Sequence, residues 1–508
     1  VDRRAHSRHD RLDSSAKRLL LALVVVLSAS FSARSSAAGG TEGTEPRDST
    51  SSGGFFARAA ARLSLFDWGR SGGGGQSKAD SVSAADLDEE VRNLRPYCGC
   101  VIDTIIVVGN THTKSITILR EMATKQGTCL DERLIRRDGA FLRGLGYFAE
   151  VSIVADRISP SRCRLVVAVG ERPGLFMRVP YPVVNYDFEK GISYGATWKV
   201  KNFRGLAEDL SISAIQRREK ERGAAFSWNV PWFLGRRFRF RADAGAYRRL
   251  ENPVDADEDY IRETTAGSLS LGVPLTPSLV RQLWLRTSVS FEGRYSRLTL
   301  SEPGGGNVRD FYRQNFFSAG AGLEYDSRDN RISPFTGMLH QLSVRRFASV
   351  RGLEQSYVFW RLSDAFYLPA GKADRAVIVA LTADVREGDL PAYLRMKLGG
   401  VRDLRGYSDD QTGTAKVLAT IQYRARLFDP RVFRIPKIGA FDVTMNFIAF
   451  ADNGALMESI LDLDRATFHT TAGLGFEIIS PFRDILRFEA AGDGTGTPAF
   501  YVTAGTDF

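Results

Sequence analysis

The sequence holds little of what hydrolases, metal proteins and nucleic-acid binders are built from. Its 508 residues include only five histidines (His6, His9, His112, His340, His469), dispersed along the chain. Neither a His-Glu-x-x-His helix face nor a Gly-x-Ser-x-Gly elbow occurs, so no zinc-hydrolase or serine-elbow site can be read, and no cofactor is expected. Cysteine is scarce: Cys98, Cys100, Cys129 and Cys163 are the whole complement, and all lie in one short region. A Cys-x-Cys pair with two scattered partners is a poor zinc template, and an even number in an exported chain favours disulfides whose pairing the sequence leaves open. The apolar run Leu19–Leu27 is about half of the ~20 residues a membrane-spanning helix needs, and no later run reaches that length. The net charge of +10 is modest, and much of it sits in Arg3, Arg4, Arg8, Arg11, Lys17 and Arg18. With no RNA-motif aromatics and no finger spacing, a nucleic-acid partner is excluded.

Slightly negative mean hydropathy argues against a helical membrane protein but not against a transmembrane barrel, which hides its lipid face in every second residue. Lys17-Arg18, the apolar run and the small residues Ser35, Ala37 and Ala38 have the three parts of a secretory signal over 1–38. Residues 39–97 read as a flexible Gly/Ser-rich linker, with the run Gly72–Gly75 inside it. Two amphipathic pieces interrupt the linker, a basic one from Phe55 to Phe66 and a short helical one from Ala84 to Leu94.

Residues 98–173 read as a small α+β domain. Val101–Val108 is a strand ended by Gly109-Asn110, and Thr113 stands where the N-cap of a first helix belongs. Asp131 caps a second helix carrying Leu134, Ile135, Phe141, Leu142 and Leu145, and two strands follow at Glu150–Ala155 and Arg164–Val169. From 174 to 508 the period is two: Leu283, Leu285, Val289 and Phe291 alternate with Trp284, Arg286, Ser288 and Ser290, and Leu486 and Phe488 alternate with Arg487 and Glu489. About sixteen such segments can be counted, an even number as bacterial barrels prefer, with a soluble β-sandwich array as the competing architecture. The aromatic end Phe500–Phe508 favours closure.

The 98–173 region resembles a POTRA domain through Gly109-Asn110, Leu145-Gly-Tyr-Phe148 with Val151, and the closing Gly170-Glu171-Arg172-Pro173. The rest resembles the bacterial surface antigen barrel of the BamA/TamA-type outer-membrane assembly proteins. The marks are Asn202-Phe-Arg-Gly205 with Asp209, Pro231–Gly235, the mid-barrel signature of Asp326, Arg328, Asp329 and Gly337, the lumen loop of Gly399, Gly400, Arg405, Gly406 and Tyr407, then Asp452, and finally Phe508. The fold expected is mainly β: about 16 antiparallel strands closed into a transmembrane barrel behind one POTRA domain.

The loop has its own physics. Glycines at 399, 400 and 406 permit backbone conformations closed to other residues, and Arg405 offers a planar fork suited to a carboxylate. The resemblance implies Asp452 as its partner. The family's second acid belongs on the strand after the loop, where this chain has Gln422 and Arg424, leaving Asp403 to make up the difference. Asp326, Arg328 and Asp329 read as a salt-bridged turn at the barrel rim.

The first strand carries Pro180 and Pro182, which cannot donate to a ladder. It must close against the last, with Tyr501, Thr503 and Phe508, so a lateral gate is expected there. The resemblance implies a protein, not an enzyme, that inserts or translocates other polypeptides. Its partners would be unfolded outer-membrane or secreted clients, the lipid bilayer and accessory assembly factors. A dedicated secretion pore of the two-partner type and a porin-like barrel are the alternatives. The implied location is the bacterial outer membrane with the POTRA domain in the periplasm. An Arg/Ser-rich, acid-poor stretch after Phe31 resembles a plastid presequence and makes the plastid outer envelope the alternative.

Overall fold

Strands take over wherever the period of two does. The computed structural model describes residues 94–505 apart from 173–179, 188–190, 218–220, 252–259, 300–307, 352–354, 389, 391–393, 409–410, 429–430, 436–438, 480–484, 495 and 497. The signal-like segment, both amphipathic pieces save Leu94, and Phe508 lie outside the described residues.

The small domain runs β1 (Val101–Val108), α1 (Ser115–Glu121), α2 (Glu132–Gly144), β2 (Phe148–Ser159) and β3 (Arg162–Glu171). Its sheet has the order β1-β3-β2, with β1 and β3 parallel and β2 and β3 antiparallel. Apolar residues of both helices (Ile118, Met122, Ile135, Leu142) bury against Ile102, Ile153, Leu165 and Val167. Packing begins inside the segment read as linker, because Leu94 is 1% exposed in this core. Asp131 caps α2 by accepting from the Arg133 amide. Thr113 does not cap α1: Lys114 holds that position without a side-chain bond, and the Thr113 hydroxyl is engaged elsewhere. The expected disulfides are absent, all four cysteines being free. Cys100 and Cys163 are buried core residues, and burial, with Cys100 adding to it, pushes the Cys163 thiol up to about 11.

The barrel strands are β4 (Pro180–Asp187), β5 (Gly191–Phe203), β6 (Glu208–Arg217), β7 (Glu221–Val230), β8 (Arg239–Glu251), β9 (Tyr260–Pro274), β10 (Gln282–Thr299) and β11 (Val308–Asp326). They continue as β12 (Gly337–Arg351), β13 (Ser356–Ala370), β14 (Lys372–Gly388), β15 (Ala415–Arg426), β16 (Arg431–Ile435), β17 (Gly439–Met457), β18 (His469–Ile479), β19 (Ile485–Gly492) and β20 (Ala499–Gly505). β15 and β16 pair with successive parts of the same strand, β17, so they form one interrupted stave and the closed antiparallel barrel has sixteen.

Paired residues share a face, so rows run around the wall. Leu269, Phe291, Leu474 and Phe500 on the outer rows are 50–59% exposed, while Trp284 and Glu489 on the inner rows are 2% and 5% exposed. A sandwich would have buried those outer side chains in a second layer; this surface requires lipid.

Candidate functional site

The loop between β14 and β15 folds back on itself as a tight hairpin. Gly399 bridges to Ser408, and the Gly400 amide donates to the Tyr407 carbonyl at 3.2 Å. Gly399, Gly400 and Gly406 have φ of +119°, +91° and +79°. At Gly406 a Cβ would come within 2.5–2.6 Å of the Ala491–Gly492 backbone, so only glycine lets the loop tip lie flat against β19.

That approach delivers Arg405 into the wall. Its Nε and second NH₂ donate to the two oxygens of Asp452 at 2.7 and 2.8 Å, and the remaining nitrogen donates to Glu489 on β19 at 2.7 Å. The Phe450 ring lies 3.3 Å beneath the guanidinium. Thr420 donates to Asp452 at 2.8 Å, so the acid is held from β15 as well. The acid missing from the strand after the loop is thus supplied from β19. Asp403 does not make up the difference, because it pairs with Lys416 at 2.7 Å. Two further contacts fasten the tip: the Gly406 amide donates to the Tyr501 hydroxyl at 3.0 Å, and the Tyr407 hydroxyl lies 3.1 Å from His469 Nε2. Tyr501 therefore joins the loop to the last strand.

Arg424, where an acid was awaited, is fully buried and pairs with Glu477 on β18 at 2.9 Å. It also donates to the Pro334 carbonyl at 3.1 Å, and Asn446 of β17 donates to Ser333 at 3.2 Å. Both acceptors belong to the turn between β11 and β12. The mid-barrel residues shape that turn: Arg328 forks onto Asp326 at 3.0 and 3.1 Å, Asp329 accepts from the amides of Asn330, Phe335 and Thr336, and Gly337 has φ +106°. The turn folds inward at that end of the barrel and reaches the inner faces of staves β15 and β17.

At the seam, β20 and β4 share, among the described residues, two residue pairs, Tyr501 with Asp187 and Val502 with Tyr186, and Ala504 donates to the Asn185 side chain at 2.8 Å. The neighbouring ladders are longer, with seven pairs between β19 and β20 and eight between β4 and β5. Pro180 and Pro182 face Trp198 and Ala196 of β5, on a part of β4 with no partner on its seam side among the described residues. Thr503 lies just past the paired stretch.

The small domain grips the end of the barrel at which β11 turns into β12. The turn from Asn202 to Ala207 holds three of the four non-glycine residues with positive φ among the described residues: Asn202, Arg204 and Ala207. Groups of the small domain meet it: Lys114 N donates to Gly205 O at 3.0 Å, Thr117 hydroxyl to the same oxygen at 2.8 Å, Tyr147 hydroxyl to Ala207 O at 3.2 Å, and Asn202 Nδ2 donates to Thr113 at 2.8 Å. Trp232, in the next turn, donates to Glu121 at 2.7 Å and stacks under Arg120.

Residues 202–508 match the Omp85 superfamily domain, and residues 101–172 match the POTRA family described as a surface antigen variable number repeat. Among solved structures, CdiB from Escherichia coli is similar over 89% of this chain and 98% of its own, with 12% identity and a TM-score of 0.53. CdiB from Acinetobacter baumannii matches over 80% of this chain and 74% of its own, at 12% identity and a TM-score of 0.50. BamA from Haemophilus ducreyi lacking POTRA domains 1–3 matches over 80% and 84%, at 15% identity and a TM-score of 0.48. At such identities the likeness is one of fold.

Proposed function

Because the chain belongs to the Omp85 superfamily, as a BamA/TamA-type outer-membrane barrel with a POTRA domain, we propose that it assists the insertion of client polypeptides through a lateral gate between β4 and β20. The assembly-or-translocation role comes with the family; the gate is our reading of this chain. The observation that carries it is the seam, which among the described residues has two residue pairs beside ladders of seven and eight. Each lost pair leaves backbone donors and acceptors in need of partners within lipid. A client strand supplies them by adding edge to edge, with main-chain bonds giving affinity and little sequence demand. In this reading the POTRA sheet passes unfolded clients from the periplasm to the seam. The loop held by Arg405 sets how firmly β20 is fixed, through Tyr501.

The lumen bears on the alternatives. Secretion through the pore, or porin-like diffusion, needs an open lumen, whereas the Arg405 loop and the Pro334 turn both fold onto its inner wall and take up space there. Crosslinking Tyr186→Cys to Val502→Cys, which face each other across the seam, is expected to stop client insertion into liposomes while the barrel still shifts on unboiled gels. Reduction should restore insertion. Undiminished insertion by the oxidised form would remove the gate, and continued secretion of a soluble client would favour the pore.

A further inference from the structure

The outer wall bears a feature that neither gate nor lumen loop uses. Register sets Ala196, Ala214, Ala224 and Ala246 side by side on β5 to β8. They share the lipid face with Trp198, Ile212 and Phe226, the next outward row toward the POTRA end, all exposed. In the other direction the next outward row is Tyr194, Gln216, Arg222, Arg248 and Glu263. The alanines and this polar row bound a trough of about 820 Å³. The same strands meet the POTRA domain at their opposite ends, so the polar row marks the far boundary of the membrane.

Among the described residues, the charge there is unbalanced. Arg248 approaches Glu263 only to 3.9 Å, and its Nε lacks a hydrogen-bond partner. Arg222 is exposed, with no ion pair to a described residue. Among the described residues, two guanidinium groups thus face one carboxylate at the depth where headgroups lie.

We propose that this trough binds a phospholipid with an anionic headgroup in the leaflet away from the POTRA domain. Phosphate oxygens accept from Arg222 and Arg248, whose planar forks match phosphate geometry. The exposed ring of Tyr194 sits at the interface, as aromatic girdles do. An acyl chain lies over the alanine floor and fills space that would otherwise leave its lining without contacts. A zwitterionic headgroup brings its own cation and leaves the excess positive charge uncompensated. A polypeptide seated on the wall would bury Arg222 unpaired, at a cost in desolvation.

The test reconstitutes the full chain in phosphatidylcholine nanodiscs doped with phosphatidylglycerol or with lipid A, then counts lipids retained after detergent extraction by native mass spectrometry. The wild type should retain the anionic lipid in preference to phosphatidylcholine, and the dopant retained identifies the source. The Arg222→Gln/Arg248→Gln variant should lose that preference. Ala214→Leu/Ala224→Leu fills the trough with both arginines intact and should lose it too, each variant keeping its heat-dependent gel shift. Equal retention of both lipids by the wild type, or unchanged preference in the two variants, overturns the site. So does a photoreactive residue at position 224 that attaches to a polypeptide rather than to lipid.

Discussion

At Arg405, four polar and aromatic contacts converge on one cation, Asp452 twice, Glu489 and the Phe450 face, and Thr420 braces Asp452 in turn. Both acids are almost wholly buried, so removal of the cation leaves two carboxylates facing each other out of water. Breaking a buried pair from one side costs on the order of 3–5 kcal/mol. Arg405→Ala should therefore lower the temperature at which the barrel band converts on gels, and Arg405→Lys should restore little, since a point charge cannot reach both acids at once. A variant as heat-resistant as the wild type would mean the cluster does not hold the loop. The glycines and the arginine were legible in the sequence because charge and backbone freedom stand out in a strand-rich chain, while Asp452 came with the family resemblance. Glu489 was not. It lies 84 residues from Arg405, and along β19 it reads as one more polar residue on an alternating strand until closure brings it to the loop. Thr113 was misread for a related reason: its local position suits a cap, but a barrel side chain, Asn202, claims its hydroxyl.

Among elements, the least local arrangement is the grip of the β1–α1 loop on the turn after β5. Glu171, at the end of β3, organises that loop by accepting from the Thr111 hydroxyl at 2.6 Å, the His112 amide at 2.8 Å and the Thr113 amide at 2.6 Å. Burial pushes the Glu171 carboxyl up, but the hydrogen bonds from Thr111, Thr113 and His112 outweigh it and hold the group below its ordinary value. A carboxyl depressed by folding contributes stability that is fully present above its unfolded value, about 4.3, and is lost as pH falls through the lower folded value. Hydrogen exchange at the Lys114 amide, bonded to Gly205, should thus lose protection in acid below that window once corrected for intrinsic rate. Glu171→Gln should be less protected at neutral pH and insensitive to acid; identical profiles would show that the carboxylate does not organise the dock. Strands and helices were readable because their periodicities are local. The left-handed turn was not, because Asn202, Arg204 and Ala207 carry no glycine signal: the strain is held by contacts from another domain.

For the whole molecule, the consequential geometry is that two segments fold onto the inner wall at different depths. The Arg405 loop fastens to Asp452, while the turn holding Ser333 and Pro334 fastens to Asn446 and Arg424. Asp452 and Asn446 are six positions apart on β17, about 20 Å along a strand at roughly 3.4 Å per residue. Counting alternating segments was enough to anticipate sixteen staves, but not this, since a turn of Asp, Arg and Asn looks like any rim turn until a buried arginine on a distant stave is found reaching for its carbonyl. Two obstructions in series make a distinct prediction from one. Release of either leaves the other in the path, so Arg405→Ala and Arg424→Ala alone should each show the low conductance of the wild type in planar bilayers. The double variant, provided it still inserts as a heat-modifiable barrel, should conduct persistently. If Arg405→Ala alone opened the pore, the turn would be a rim feature with no bearing on passage. If the double variant stayed closed, the lumen would be filled by something other than these two segments. A barrel with two segments folded into its lumen and, among the described residues, two residue pairs at its seam yields most easily sideways, which is the direction a client strand needs.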